Sequence, residues 1–263
     1  MNLSITLATF NEENNIKRFL DNFKDIGDEI IIVDGHSSDK TVEIAKKYDK
    51  VKIISTENKP MFHLNKQMGI DACKGNWILQ MDADELLTPE LKKEILTIIN
   101  KKPEEIEFNG FWIKRKNYFL GAFLKKGGIY PDPTIRFYKN GKGHLPCKDV
   151  HEQATINGKI GWLKNDMEHY ADPSFSRYLL RANRYTTLLA GQLKEQKVPL
   201  NYFSFINYYF FKPIHWFLLT YFRHRGYVDG FRGFVFSFFS ALRFPIAYTK
   251  YFELKQNITQ NWE

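Results

Sequence analysis

Cysteine is almost missing from these 263 residues: Cys73 and Cys147 are the two present. Their spacing matches no metal-ligand pattern, and they are too few for the disulfide framework of a small secreted scaffold. Both therefore read as packing residues in a reducing compartment. The start of the chain lacks a basic segment followed by a sustained apolar run. Residues 1–8 give way at once to Thr9, Asn11 and Glu12, so no signal peptide is expected. Acid is scarce at the other end. Residues 177–263 hold 12 Lys and Arg against 4 Asp and Glu, whereas residues 1–176 balance at 26 of each. The whole net charge of +8 thus lies in the tail, together with 24 of the 42 aromatic residues. A long apolar run is missing there too. Residues 202–222 have the length of a membrane span, but Asn207, Lys212, Pro213 and His215 interrupt them. Apolar bulk with positive charge suits attachment to an anionic membrane surface rather than passage through it; packing of the aromatics against the rest of the chain is the plainer reading. A nucleic-acid partner is disfavoured, because the basic residues are interleaved with apolar runs and no nucleic-acid motif accompanies them.

What is present is a chain long enough to bury a core, 43% hydrophobic, with room for one catalytic domain and an appendage. Residues 1–100 alternate short β-branched runs with helical segments. Strands are expected at 3–8, 29–33, 51–54 and 77–81, and helices from about Glu12, at 41–47, at 64–73 and at 91–99. That order is the pattern of a mostly parallel sheet flanked by helices, an α/β fold. Pro89 suits the first turn of the last of these helices. Beyond Pro103 the signals change to shorter strands, 111–114 and 134–138, with glycine-containing loops between them. From Ser174 onward helical patterning takes over, and Pro199, Pro213 and Pro245 are expected to break or kink it. The division that follows is a domain over 1–175, with halves 1–100 and 101–175, and a basic, aromatic helical region over 176–263.

The chemistry gathers at strand ends. Asp82-Ala83-Asp84 follows the strand at 77–81, and carboxylates at the C-terminal end of a strand project into the usual ligand crevice of an open α/β sheet. Two acids there can organise a metal-diphosphate, with oxygen ligands that suit Mg²⁺ or Mn²⁺. An Asp-x-Asp triplet alone is more often a solvated turn. Here two further strand ends carry polar residues, Thr9-Phe10-Asn11-Glu12 after the first strand and Asp34-Gly35-His36-Ser37-Ser38-Asp39-Lys40-Thr41 after the second.

This ordered set, with Asn65-Lys66-Gln67-Met68-Gly69 between the second and the acidic turn, resembles the family 2 glycosyltransferases. The resemblance covers about the first third of the chain. It implies a GT-A fold that binds a nucleoside diphosphate sugar, with Thr9, Phe10 and Glu12 bordering the nucleoside and Asp34 bonded to the base. Lys66 is then expected near the nucleotide or its phosphates, Asp82 and Ala83 on the ribose side, and Asp84 at the metal. The acceptor-only chemistry of a carboxylate agrees, since it takes an N–H from uracil or an O–H from ribose. Asp39 and Thr41 read better as a turn and helix cap.

A transferase also needs a base for the acceptor hydroxyl, and Val150-His151-Glu152 offers Glu152, with Asp149 as its rival. Val-His-Glu occurs in the bacterial branch resembling the lipopolysaccharide-core glucosyltransferases. His169, in Glu168-His169-Tyr170, is a candidate to complete the metal shell, and Arg136 either pairs with an anionic substrate or forms a structural ion pair. The resemblance thus implies an inverting hexosyltransferase. It would use a UDP-sugar, UDP-glucose first, and a lipid-linked glycan such as a lipopolysaccharide core, on the inner face of the cytoplasmic membrane. The alternatives are a polyprenyl-phosphate glycosyltransferase and a non-catalytic nucleotide-sugar sensor.

Overall fold

A computed structural model of the chain describes residues 2–59, 61–147 and 153–258. In chain order the elements begin β1 (Leu3–Thr9), α1 (Glu13–Phe23), β2 (Glu29–Asp34), α2 (Thr41–Ala45), β3 (Val51–Ser55) and α3 (Phe62–Asp71). Next come β4 (Trp77–Gln80), β5 (Glu85–Leu87), α4 (Pro89–Ile99), β6 (Gly110–Phe119), β7 (Ala122–Phe123) and β8 (Asp132–Lys139). The short strands β9 (Gly143–His144) and β10 (Thr155–Ile156) precede the long strand β11 (Ile160–Asp172). The helices α5 (Phe175–Glu195), α6 (Tyr202–Ile206), α7 (Lys212–Leu218), α8 (Gly230–Ala241) and α9 (Arg243–Lys255) complete the chain. They fall into two compact units, one formed by residues 1–116 and 132–169 and the other by 117–131 and 170–263.

In the first unit the sheet order is β3-β2-β1-β4-β8-β6-β11-β5. The first four strands in that order are mutually parallel, and the pairs β4–β8, β6–β8 and β5–β11 are antiparallel. β2 is buried along its whole length, which explains why its sequence, Glu-Ile-Ile-Ile-Val-Asp, runs apolar without alternation between two charged ends. The first of these acids, Glu29, accepts from Ser4 Oγ at 2.7 Å and pairs with Lys52 Nζ at 2.7 Å. α1 buries Ile16, Phe19, Leu20 and Phe23, one face of a helix at i, i+3, i+4 and i+7. Each such side chain contributes about 1.5–3 kcal/mol of burial. α4 is capped by Thr88, whose hydroxyl accepts from Leu91 N, and Pro89 occupies its first turn.

α3 lies close against the sheet because Gly69 has no side chain. A Cβ there would stand 2.2 Å from Thr6 Oγ1 on β1 and 3.2 Å from Val33 on β2. This close approach presses the helix face carrying Lys66 into the unit, so that the whole residue is buried.

The second unit packs around two clusters. One joins Ala190 and Leu193 of α5 to Tyr208, Tyr248 and Tyr251; the other joins Phe119, Leu124, Tyr178 and Val235. Its helical run from 202 to 223 is continuous in direction but alternates between α and π turns, with π segments at Asn207–Phe211 and Leu219–Arg223. Pro213 sits in the first turn of α7 immediately after one of them. The wider turn accommodates the residue that lacks an N–H, where the sequence leads one to expect a break. No helix among the described residues is long and apolar enough to cross a membrane.

Candidate active site

The polar strand ends meet at the C-terminal edge of the parallel strands. Thr9 and Asp34 are register partners on β1 and β2, and Thr9 Oγ1 donates to Asp34 Oδ1 at 3.0 Å. Ser37 closes the loop over Asp34, donating from its N–H to Oδ2 at 2.8 Å and from its hydroxyl to Oδ1 at 2.6 Å. The loop after β1 is tied to the same residues: Asn11 N donates to Ser37 Oγ at 2.9 Å, and Ser38 N donates to Asn11 Oδ1 at 2.9 Å. Asn11 and His36 carry φ values of 56° and 59°, a conformation that asparagine tolerates better than most residues. Phe10 projects outward, while Thr9 and Asp34 are buried. Asp39 and Thr41 serve the turn itself, Asp39 Oδ1 accepting from Thr41 N at 2.9 Å.

The acidic turn follows β4. Asp82 is held from two sides: Lys66 Nζ lies 2.5 Å from Oδ1, and Arg136 Nη2 lies 2.6 Å from Oδ2. Burial opposes the charge on Asp82, but Arg136 and Lys66 outweigh it and hold the carboxyl far below the usual range. Both oxygens are therefore engaged by cations. Ala83 is buried and Asp84 points elsewhere, its Oδ2 lying 3.5 Å from His169 Nε2. That pair remains partly open, with side chains 28% and 12% exposed. Burial pushes the Asp84 carboxyl up, yet the hydrogen bond and charge of His169 bring it below its ordinary value.

Among the described residues no group of three or more His, Cys, Asp or Glu side chains is placed to hold a metal ion. The carboxylate of Asp84 and the imidazole of His169 form a two-donor set. It suits a hard divalent ion that takes its remaining ligands from a diphosphate and water, not one caged by protein.

Sequence reasoning left Arg136 open between a substrate and a structural partner; its guanidinium is buried and spent on Gln80 Oε1 at 2.7 Å, Asp82 and Glu85. It missed Glu85 and Arg115. Glu85 is fully buried, and Arg115 reaches it at 3.1 Å and Asp132 at 2.6 Å. The signal available was one extra acid directly after Asp82-Ala83-Asp84. Asp149 and Glu152, the two candidates for the base, lie outside the described residues. A cleft of about 840 Å³ lined by Asn2, Lys74, Trp77, Lys139 and Lys142 opens at the opposite end of β4 and contains none of the strand-end residues.

A family model described as glycosyl transferase family 2 matches residues 4–149. An uncharacterized glycosyltransferase of Rickettsia typhi is 30% identical over 244 residues, covering 89% of this chain and 80% of that protein. The lipopolysaccharide core biosynthesis glycosyltransferase LpsC of Rhizobium meliloti is 26% identical over 253 residues, covering 92% of this chain and 91% of that one. Among solved structures, S. aureus TarS 1–349 in complex with UDP superposes with a TM-score of 0.50 at 15% identity, covering 100% of this chain and 93% of that one. The last likeness shows the GT-A fold.

Proposed function

This chain belongs to glycosyl transferase family 2 and is a transferase enzyme, and on that premise we propose that it moves a hexose from a UDP-sugar to a hydroxyl of a lipid-linked glycan, with inversion and with help from Mg²⁺ or Mn²⁺. UDP-glucose is the leading donor, and a lipopolysaccharide core is the leading acceptor, the latter supported by the likeness to LpsC. The observation that carries the reading is the division of labour in the acidic turn. Asp82 is committed to Lys66 and Arg136, while Asp84 and His169 face each other partly open and Thr9 and Asp34 form a buried pair at the ends of β1 and β2.

In this mechanism Thr9, Phe10, Glu12 and Asp34 bind the uridine, Asp34 accepting from the base. Asp82 and Ala83 meet the ribose side, and Lys66 brings a positive charge near the phosphates. Asp84 and His169 would hold the divalent ion, which would supply positive charge to offset that developing on the leaving diphosphate. Glu152, with Asp149 as rival, takes the proton of the acceptor hydroxyl. The acceptor oxygen then bonds to the anomeric carbon as the carbon–oxygen bond to UDP breaks, and UDP leaves with the electron pair. The exposed aromatics and basic residues of 202–252 attach the enzyme to the inner face of the cytoplasmic membrane.

A panel of nucleotide sugars incubated with the purified protein, Mn²⁺ and core glycolipid tests this reading. The expected result is fastest turnover of UDP-glucose, an inverted linkage to a sugar hydroxyl, and loss of transfer but not of UDP binding in Glu152→Gln. Preference for a donor without UDP, or a polyprenyl-phosphate sugar as the product, would overturn the assignment.

A further inference from the structure

Glu85 begins β5 one residue after Asp84, and its carboxylate reaches backward as well as sideways. Oε2 accepts the backbone N–H of Asp82 at 2.9 Å. Oε1 receives Nη2 of Arg136 at 2.9 Å and Nη1 of Arg115 at 3.1 Å. Arg136 carries the connection forward to the Asp82 side chain through the same nitrogen, and Arg115 is tied in turn to Asp132, its register partner between β6 and β8. The backbone of Glu85 is the register partner of His169 between β5 and β11. One residue thus meets the first acid of the turn at its backbone and, through Arg136, at its carboxylate, while its own strand pairing sets the place of His169.

The arrangement is costly for anything else. Glu85 is 0% exposed, a buried carboxylate persists only when its hydrogen bonds are made, and no solvent or substrate reaches it directly. Arg136 accepts a cost as well. Its Nε has no hydrogen-bond partner among the described residues, so the guanidinium is oriented for Asp82, Glu85 and Gln80 at the expense of its remaining donor.

We propose that Glu85 is a positioning residue: it fixes the turn carrying Asp82 and Asp84 against the strand carrying His169, and so sets the spacing of the two metal-facing donors. This deepens the metal-assisted transferase reading and rests on it. Replacing one carboxylate oxygen by an amide removes an acceptor and sets a donor in its place. Glutamine at 85 can satisfy the two guanidiniums or the Asp82 N–H, but not both, and the charge-assisted side is the stronger competitor. The Asp82 amide then loses its acceptor, and the turn is released while the ligands themselves remain.

The test compares wild type, Glu85→Gln and Arg136→Lys by two readouts. Mn²⁺ is titrated at fixed UDP, with bound ion followed by electron paramagnetic resonance, and hydrogen exchange of the Asp82 amide is measured without metal or nucleotide. Support for a ligand shell of this kind is commonly worth 10- to 100-fold in metal affinity, so both variants should need roughly 10- to 100-fold more Mn²⁺. Glu85→Gln should also exchange the Asp82 amide at least about tenfold faster. Arg136→Lys keeps a positive charge but loses the fork joining Glu85 to Asp82, and it carries the test if Glu85→Gln does not fold. A lowered Tm with an unchanged Mn²⁺ requirement in the folded variants would overturn the positioning role. Failure of wild type to bind Mn²⁺ with UDP would instead overturn the reading beneath it.

Discussion

Asp82 and Asp84 stand two residues apart and face different partners. Asp82 is neutralised by a lysine and an arginine, whereas Asp84 meets an imidazole that can also bind a metal. A third residue near the sheet, Cys73, takes no part in this chemistry. It is buried and donates to Gly69 O at 3.2 Å, and burial, with Glu29 nearby, pushes its thiol up to about 12. The thiolate is the reactive form, so at pH 8 the folded protein should leave Cys73 unlabelled by iodoacetamide over times that label the denatured chain fully. Peptide mass spectrometry reads the difference, and rapid native labelling of Cys73 would contradict the packing described here. At this scale the sequence was readable where a residue ends a visible strand. Asp34 and Asp82 terminate apolar runs visible in the sequence, and Asp34 meets Thr9 at the end of the neighbouring parallel strand. Glu85 was not readable, because its partners lie 30 and 51 residues away on antiparallel strands whose register leaves no mark on the local pattern.

Elements of the first hundred residues follow from periodicity: β1 to β4, α1 and α4 form where apolar spacing expects them. β11 escaped notice. Its segment Lys-Asn-Asp-Met-Glu-His-Tyr-Ala-Asp is polar, and it pairs as a strand because β5 supplies a partner and because Lys114 and Lys116 reach Asp166 at 3.5 and 3.1 Å. The tail illustrates the opposite case, since its helices were legible but the π turns beside Pro213 were not. Phe203 and Phe211 in that helical run are 81% and 68% exposed, and Phe231 beyond it is 76% exposed. These exposed aromatics, in a region whose sequence also carries Arg223, Arg225 and Arg232, motivate reversible attachment to anionic bilayers, each basic residue contributing about 1 kcal/mol. Flotation should therefore carry the protein with anionic liposomes, less with neutral ones, and high salt should release it. Equal failure with both liposome types would assign these aromatics to packing alone.

Across the whole molecule, charge and chemistry are separated along the chain. The balanced portion, residues 1–176, contains the strand-end residues and the acidic turn, and the surplus of +8 lies beyond it. The proposed function has UDP bind at the strand ends with a divalent ion that Asp84 and His169 would hold. Calorimetric titration of UDP into the wild-type protein, once with Mn²⁺ and once with chelator, tests it most directly, and the same pair of titrations on Asp84→Asn identifies the ligand. UDP should bind more tightly with Mn²⁺ than with chelator in wild type, and the difference should be largely lost in Asp84→Asn. Equal affinity with metal and with chelator in the wild-type protein would contradict it.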